Sequence, residues 1–336
     1  MSITVLRPGL LTTVQDLGRA GLQKYGVIFS GAMDTYALRV ANLLVGNEEG
    51  EAALEITLTG PELQIEKDVL IALTGGDLSP TIENESIPLW KPVYVRKGSV
   101  LRFGPCKSGC RAYLAIVGGI NVEEVMGSRS TYLRASIGGF NGRALKAGDC
   151  IELRTPSEQS SQLLKELSFE GELPFSAPTW SVNKELYIRE KNNNVIRILR
   201  GSHYELFTPI CRKELFEETF KVTPQSDRMG YRLSGPTLTL SQSFEMVSEA
   251  VALGTIQVPP DGNPIILLAD RQTTGGYPRI GQVVSIDIPI IAQLKPGETI
   301  RFKEVSLKEA EELYLNREKE LNELRTGLSL KGVRNF

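Results

Sequence analysis

Short apolar runs broken by glycine and proline make up most of this chain. Val69-Leu-Ile-Ala-Leu73 leads into Thr74-Gly-Gly-Asp77, and Arg111-Ala-Tyr-Leu-Ala-Ile-Val117 leads into Gly118-Gly119. Pro264-Ile-Ile-Leu-Leu-Ala269 and Gln282-Val-Val-Ser-Ile286 follow the same plan. Runs this short, rich in Val and Ile and bounded by turn formers, predict strands. Many such strands in series predict a mainly β chain of closed barrels or sandwiches. One turn–strand unit occurs three times: Val95-Arg-Lys-Gly-Ser-Val-Leu-Arg-Phe103, Leu145-Lys-Ala-Gly-Asp-Cys-Ile-Glu-Leu153 and Leu294-Lys-Pro-Gly-Glu-Thr-Ile-Arg-Phe302. Each sets Lys and Gly in a turn before an alternating strand, which suggests two related halves.

Helical periodicity is rare. Asp34 can cap a helix through about Val45, with Ala37, Val40, Ala41 and Leu44 on one face and Gly46 as the stop. Met33 and Leu38 can staple its entry. From Ser306 to Leu324, Ser306 and Glu309 form a capping box, and Leu307, Ala310, Tyr314, Leu321 and Leu324 share a face. Between Thr155 and about Pro178 the β pattern lapses into a Ser-rich stretch that reads as a linker. The expected division is a first β domain at 1–155, a linker at 156–180, a second β domain at 181–305 and a helix at 306–325. The tail beyond Arg325 is expected to fray.

With 336 residues, 41% hydrophobic and 23% charged, the chain suits two soluble domains. Its 38 basic and 40 acidic residues leave a formal net charge of -2, which gives no basis for binding nucleic acid or an anionic membrane. No apolar run reaches spanning length, and Met1-Ser-Ile-Thr-Val-Leu-Arg-Pro8 lacks a signal-peptide pattern, so the expected location is cytoplasmic. Cys106, Cys110, Cys150 and Cys211 lack zinc-site spacing and read as free thiols. His203 is the only histidine. A His-dependent triad or metal site would have to be built around it, and its place after Val195-Ile-Arg-Ile-Leu199 reads as a strand end. Chemistry here falls to carboxylates, Arg, Lys, hydroxyls and backbone amides.

Polar side chains and glycines concentrate in a few blocks. These are Gly9-Leu-Leu-Thr-Thr-Val-Gln-Asp-Leu-Gly-Arg19, Ser30-Gly-Ala-Met-Asp34, Ala41-Asn-Leu-Leu-Val-Gly-Asn47, Ala53-Leu-Glu55 and Gly127-Ser-Arg-Ser-Thr131. The second half adds Ser226-Asp-Arg-Met-Gly-Tyr-Arg-Leu233, Gly254-Thr-Ile-Gln-Val-Pro259 and Asp270-Arg-Gln-Thr-Thr-Gly-Gly-Tyr-Pro278. In this order, over about residues 2–303, they resemble the biotin-dependent carboxyltransferase and allophanate hydrolase subunit 2 family. That family includes the C subunit of bacterial 5-oxoprolinase and the Kip-inhibitor antagonist. The resemblance implies tandem cyclophilin-like β-barrels with few helices. Ser248-Glu-Ala-Val-Ala-Leu-Gly254 departs from the family's Ser-Glu-Gly-Ile, which puts substrate contacts at that loop in doubt.

The resemblance also implies an activity: ATP-dependent opening of 5-oxo-L-proline to L-glutamate. The implied partners are a smaller, Kip-inhibitor-like B subunit, together with an A subunit. ATP is then a co-substrate of the complex. Two alternatives remain open. One is a non-enzymatic antagonist of a kinase inhibitor. The other is a carboxyltransferase or allophanate hydrolase subunit that takes a urea-like substrate. The five methionines never flank a lysine as in a Met-Lys-Met signal, so no biotin is expected on this chain. No Walker loop occurs, and whether a metal takes part is left open.

Opening an activated lactam needs cations for carboxylate and phosphate, a carboxylate to orient water, and donors for oxyanions. Asp227, Arg228, Arg271 and Gln272 are the catalytic candidates. Asp34, Ser128, Arg129, Thr273, Thr274, Gly275 and Tyr277 are the substrate-binding candidates. Each has a plainer reading. Asp270 and Arg271 can pair within a turn, and Asp227 and Arg228 can form a surface ion pair. Asp34 can be an N-cap, Asp16 and Arg19 a turn pair, and Gly127–Thr131 a polar loop.

Overall fold

A computed structural model describes residues 2–169, 173–182, 194–244 and 246–333. The chain divides into two compact units. The first comprises residues 1–19, 30–187 and 321–336, and the second residues 20–29 and 188–320.

The first unit holds two six-stranded antiparallel sheets. One runs in the order Cys150–Glu152, Ser2–Arg7, Glu62–Ile65, Val100–Phe103, Pro80–Ile82, Glu85–Ser86. The other runs Phe175–Ser176, Pro92–Val95, Val69–Asp77, Ser108–Ile116, Ala53–Thr57, Leu11–Gln15. Val69–Asp77 and Ser108–Ile116 read as almost continuous apolar runs because both of their faces are covered. Helix α1, Thr35–Leu44, packs on these two strands and buries eight of its ten residues. Each fully buried Leu or Val contributes roughly 1.5–3 kcal/mol. Asp34 caps α1 by accepting from the Ala37 amide at 2.9 Å. Met33 and Leu38 are both buried, as the staple requires.

The second unit is a closed seven-stranded barrel in the order Val195–Arg200, Arg279–Val283, Thr255–Gln257, Ile265–Leu267, Gly230–Ser234, Phe220–Val222, Thr299–Glu304. Val195–Arg200 and Thr299–Glu304 close it as a parallel pair, and the other neighbours are antiparallel. The chain is thus mainly β with few helices, as expected. The expected barrel closes fully only in the second unit, whereas strand pairing in the first forms two sheets.

The repeated turn–strand unit is real in three dimensions. Gly98, Gly148 and Gly297 all take left-handed φ, at 87°, 88° and 96°. In each turn the amide after the glycine donates three residues back: Ser99 to Arg96, Asp149 to Lys146 and Glu298 to Lys295. In each, the glycine amide also reaches a neighbouring strand or its flank, at Ile65, Val5 and Val222.

Residues 156–180 are more than a connector. Ser157 caps helix α2, Glu158–Leu167, and Leu163, Leu164 and Leu167 pack against the first unit's core. Phe175–Ser176 then pairs with Pro92–Val95. Residues 170–172 of this stretch and 183–193 of the expected second domain lie outside the described residues. The second unit adds helices α3, Pro209–Glu217, and α4, Ile288–Ala292. Helix α5 spans Leu307–Val333, with Ser306 Oγ accepting from the Glu309 amide at its start. It continues past Arg325, where fraying was expected, because Leu321, Leu324 and Leu328 bury against the first unit. Residues 334–336 lie outside the described residues.

Candidate functional site

In the second unit, strand Ile265–Leu267 delivers the chain to the Asp270–Pro278 block. Asp270 does not pair with its neighbour Arg271. Its carboxylate takes two bonds from Arg228, Nε to Oδ2 at 2.9 Å and Nη2 to Oδ1 at 3.1 Å, and both residues are buried. The Asp270 amide donates to the Arg228 carbonyl at 2.8 Å, so backbone and side chains hold the same register. Asp227 turns the chain one residue earlier, its Oδ1 accepting from the Met229 amide at 2.8 Å and the Gly230 amide at 3.3 Å. Arg228, nominated as catalytic, is therefore committed to a buried structural pair. Asp227 is exposed, and its Oδ1 is committed to a turn.

Arg271 has a different environment. It is 9% exposed. Its Nη1 donates to the Leu268 carbonyl at 3.3 Å, while its buried Nε has no acceptor. No carboxylate forms an ion pair with it among the described residues. Burial pushes its guanidinium pKa downward, because the charged form is desolvated without compensation. A buried cation without a counter-ion is expensive, so this arrangement favours an anion that arrives from outside.

The rest of the block is pinned around Arg271. Thr274–Gly275 pairs with Glu249–Ala250. A Cβ on Gly275 would sit 2.4 Å from Gln257 Nε2, so a side chain there would displace the end of Gln257. Gln257 Nε2 reaches the Tyr277 carbonyl at 3.4 Å. Gln272, Thr274 and Tyr277 face solvent, and Thr273 is half-buried. The structure therefore gathers Arg271, Gln272, Thr273, Thr274, Gly275 and Tyr277 on one loop.

In the first unit, Asp16 is the hub of a buried knot. Its Oδ1 accepts from Ser128 Oγ at 2.7 Å, from Ser130 Oγ and from the Gly18 amide at 2.8 Å. Its Oδ2 accepts from the Arg129 amide at 2.6 Å. Arg19 donates to the carbonyls of Val125 and Ser130. The expected Asp16–Arg19 turn pair is thus replaced by long-range bonds to the 127–131 loop. Ser128, expected to bind substrate, is buried with its hydroxyl donating to Asp16. The Arg129 guanidinium meets Glu124 at 3.1 Å and Glu51 at 3.7 Å.

Asp34, nominated for substrate binding, is fully buried as the α1 cap. Next to it lies a cluster around Glu55 of the Ala53-Leu-Glu55 block, to which the sequence assigned no role. Glu55 Oε2 accepts from Tyr113 Oη at 2.7 Å and from the Met33 amide at 2.8 Å, and the Asp34 amide donates to Tyr113 Oη at 2.8 Å. Arg111 Nε lies 3.9 Å from Glu55. Burial, with the Glu55 charge next, raises the Tyr113 pKa well above the usual phenol value, so Tyr113 remains a donor. A glutamate inside the apolar Ala53–Thr57 strand was the available sequence signal for this cluster.

A cleft of about 970 Å³ opens elsewhere in the first unit, lined among others by Asn47, Glu51, Arg154, Trp180 and Arg325. None of the nominated residues lines it. All four cysteines are free, and the described residues contain no group of three or more His, Cys, Asp or Glu placed to hold a metal. No helix among them is long and apolar enough to cross a membrane.

Comparison with known proteins places these features in a family. The carboxyltransferase domain, subdomain A and B, matches residues 25–304. The chain is 38% identical to the 5-oxoprolinase C subunit of Haemophilus influenzae, over 93% of this chain and 94% of that one. It is 37% identical to the 5-oxoprolinase C subunit of Escherichia coli, over 92% and 93%. The crystal structure of Kluyveromyces lactis urea amidolyase superposes with a TM-score of 0.85 at 35% identity, covering 96% of this chain and 20% of that one. The chain thus spans about a fifth of the urea amidolyase and nearly all of the two bacterial proteins. By the matched domain and by full-length identity, this chain belongs to the carboxyltransferase domain family, subdomains A and B.

Proposed function

We propose that this chain is the C subunit of an ATP-dependent 5-oxoprolinase and works only together with partner subunits. The observation that carries the reading is the end-to-end match to two bacterial proteins named as C subunits of 5-oxoprolinase. Arg271 supports it, because 5-oxoproline carries a carboxylate and a buried cation without a counter-ion suits one.

In this reading ATP phosphorylates the lactam oxygen, water adds at the activated carbon, and the ring nitrogen leaves as the amine. The resulting acyl phosphate is hydrolysed to glutamate and phosphate. Arg271 holds the substrate carboxylate. Gln272, Thr273 and Thr274 supply neutral polar contacts around it. Asp227 and Arg228 keep the loop in register from below. The smaller B subunit, with an A subunit, completes the machinery, and ATP is consumed by the complex.

The urea amidolyase likeness favours a second reading, a carboxyl-transfer subunit for a urea-like substrate. Co-expression with candidate partners, followed by assays of glutamate and ADP release from 5-oxoproline and of ADP release with urea, separates the two. Glutamate formation matched by ADP supports the proposal. Turnover of urea alone supports the second reading and removes the first.

A further inference from the structure

Residues 20–29 are early in the sequence yet belong to the second unit. They form a strap with one turn of 3-10 helix at Gln23–Tyr25, closed by Gly26 in a left-handed conformation. The Gln23 side chain ties the strap to the Arg271 loop. Gln23 Nε2 donates to the Thr273 carbonyl at 2.9 Å and to the Val251 carbonyl at 3.0 Å. The Val251 amide itself donates to the Thr273 carbonyl at 3.1 Å. One amide group therefore clamps both sides of the small ladder formed by Glu249–Ala250 and Thr274–Gly275.

Each other anchor of this loop lies within the barrel or the ladder. Asp270 is held by Arg228 at the loop's start, and Gln257 reaches Tyr277 at its end. Arg271 Nη1 bonds back to the Leu268 carbonyl, and Gln23 reaches the middle of the loop at Thr273. Arg279 holds the Glu249–Ala250 side of the ladder, its Nη1 donating to the Ala250 carbonyl at 3.1 Å and its Nη2 to the Glu249 carboxylate, whereas two carbonyl oxygens face the Gln23 amide and an N–H group satisfies both. The strap's own backbone is fixed by Tyr25 to Leu22 and Gly26 to Gln23 bonds, so the amide is presented from a preformed turn.

We infer that Gln23 is a positioning residue for the Arg271–Tyr277 loop: it fixes the Thr273 carbonyl and, through it, the approach to Arg271. This rests on the reading of Arg271 as the carboxylate subsite. Gln23 itself touches no substrate. It sets how well the loop is preorganised, so its loss weakens binding more than chemistry.

The test uses the full chain and its reconstituted complex. Gln23→Glu places a carboxylate against two carbonyl oxygens. Gln23→Ala removes the donor. Gln23→Lys restores a donor of similar reach. Amide exchange on the isolated full chain should be about fivefold faster at Val251 and its ladder neighbours in Gln23→Ala, the loss expected for one hydrogen-bonded clamp. Exchange should be faster still in Gln23→Glu and near wild type in Gln23→Lys. In the complex, KM for 5-oxoproline should rise about three- to tenfold in the same order with kcat nearly unchanged. Unchanged exchange in Gln23→Glu overturns the clamp. Faster exchange with an unchanged KM overturns the positioning role. An inactive wild-type complex counts against the proposed activity alone, since the exchange order of the three variants still decides whether Gln23 holds the loop.

Discussion

Arg228 and Arg271 flank the same aspartate, one in space and one in sequence, and their charges meet different fates. Arg228 is neutralised bidentately by Asp270 inside the protein. Arg228→Ala would leave a buried carboxylate alone, and the expected loss is about 3–5 kcal/mol, read as a lower urea midpoint. Arg271 has no such partner, so removing its charge should not destabilise the fold. Arg271→Met should unfold at the same urea concentration as wild type or higher, while Arg271→Lys should lose roughly 30- to 150-fold in turnover of the complex, about 2–3 kcal/mol for a bidentate contact. A clear drop in midpoint for Arg271→Met would show that Arg271 serves the fold. His203 makes a third residue-scale case. Its Nδ1 accepts from the Arg279 amide at 3.2 Å, and its ring lies against Phe244. Burial, then the Arg279 charge, depresses its pKa below the ordinary imidazole value of 6.5. The folded state thus binds fewer protons than the unfolded state, and this stability is present above about pH 6.5 and lost as pH falls through the folded pKa. Unfolding midpoints should fall on acidification below that point, with a shallower slope in His203→Asn. An unchanged slope would remove His203 as the cause.

Among the elements, local chemistry was legible and pairing was not. The caps at Asp34 and Ser306 are short-range signals and hold as expected. The three Lys/Gly turns are equally local. Gly297 at φ 96° has no heavy atom nearer than 4.0 Å to its would-be Cβ, so Gly297→Ala tests backbone conformation alone. A loss of about 1–2 kcal/mol is expected by denaturant titration, and no loss would mean that the turn relaxes. Helix α3 carried a readable start, Thr208 as cap with Pro209 at the first position, which the search for apolar periodicity passes over. Helix α2 was obscured because its serines resemble a linker, and its leucines gain meaning only against a core formed elsewhere. The Asp16 knot was illegible for a stronger reason: its partners lie 112 to 114 residues away, and no local pattern specifies them. The same holds for Gln23, whose acceptors lie 228 and 250 residues on.

Across the whole chain, two β units carry polar loops of opposite character. In the first unit the Asp16 and Glu55 carboxylates accept from hydroxyls and backbone amides of the unit itself and hold loops in place. In the second, the Arg271 loop keeps a cation in reserve. Composition predicted this division poorly, since both units draw on the same Asp, Arg, Ser and Gly residues, and only burial and pairing tell them apart. If the chain contributes one part of an ATP-consuming 5-oxoprolinase, it should lack the activity by itself. That is decided by incubating the purified chain, alone and co-purified with candidate A and B subunits, with 5-oxoproline and ATP, and following glutamate and ADP in one reaction. The assembled complex should form both products in equal amounts, and the single chain should form neither. Glutamate formation by the single chain, or an assembled complex that hydrolyses no 5-oxoproline, would contradict the proposed function.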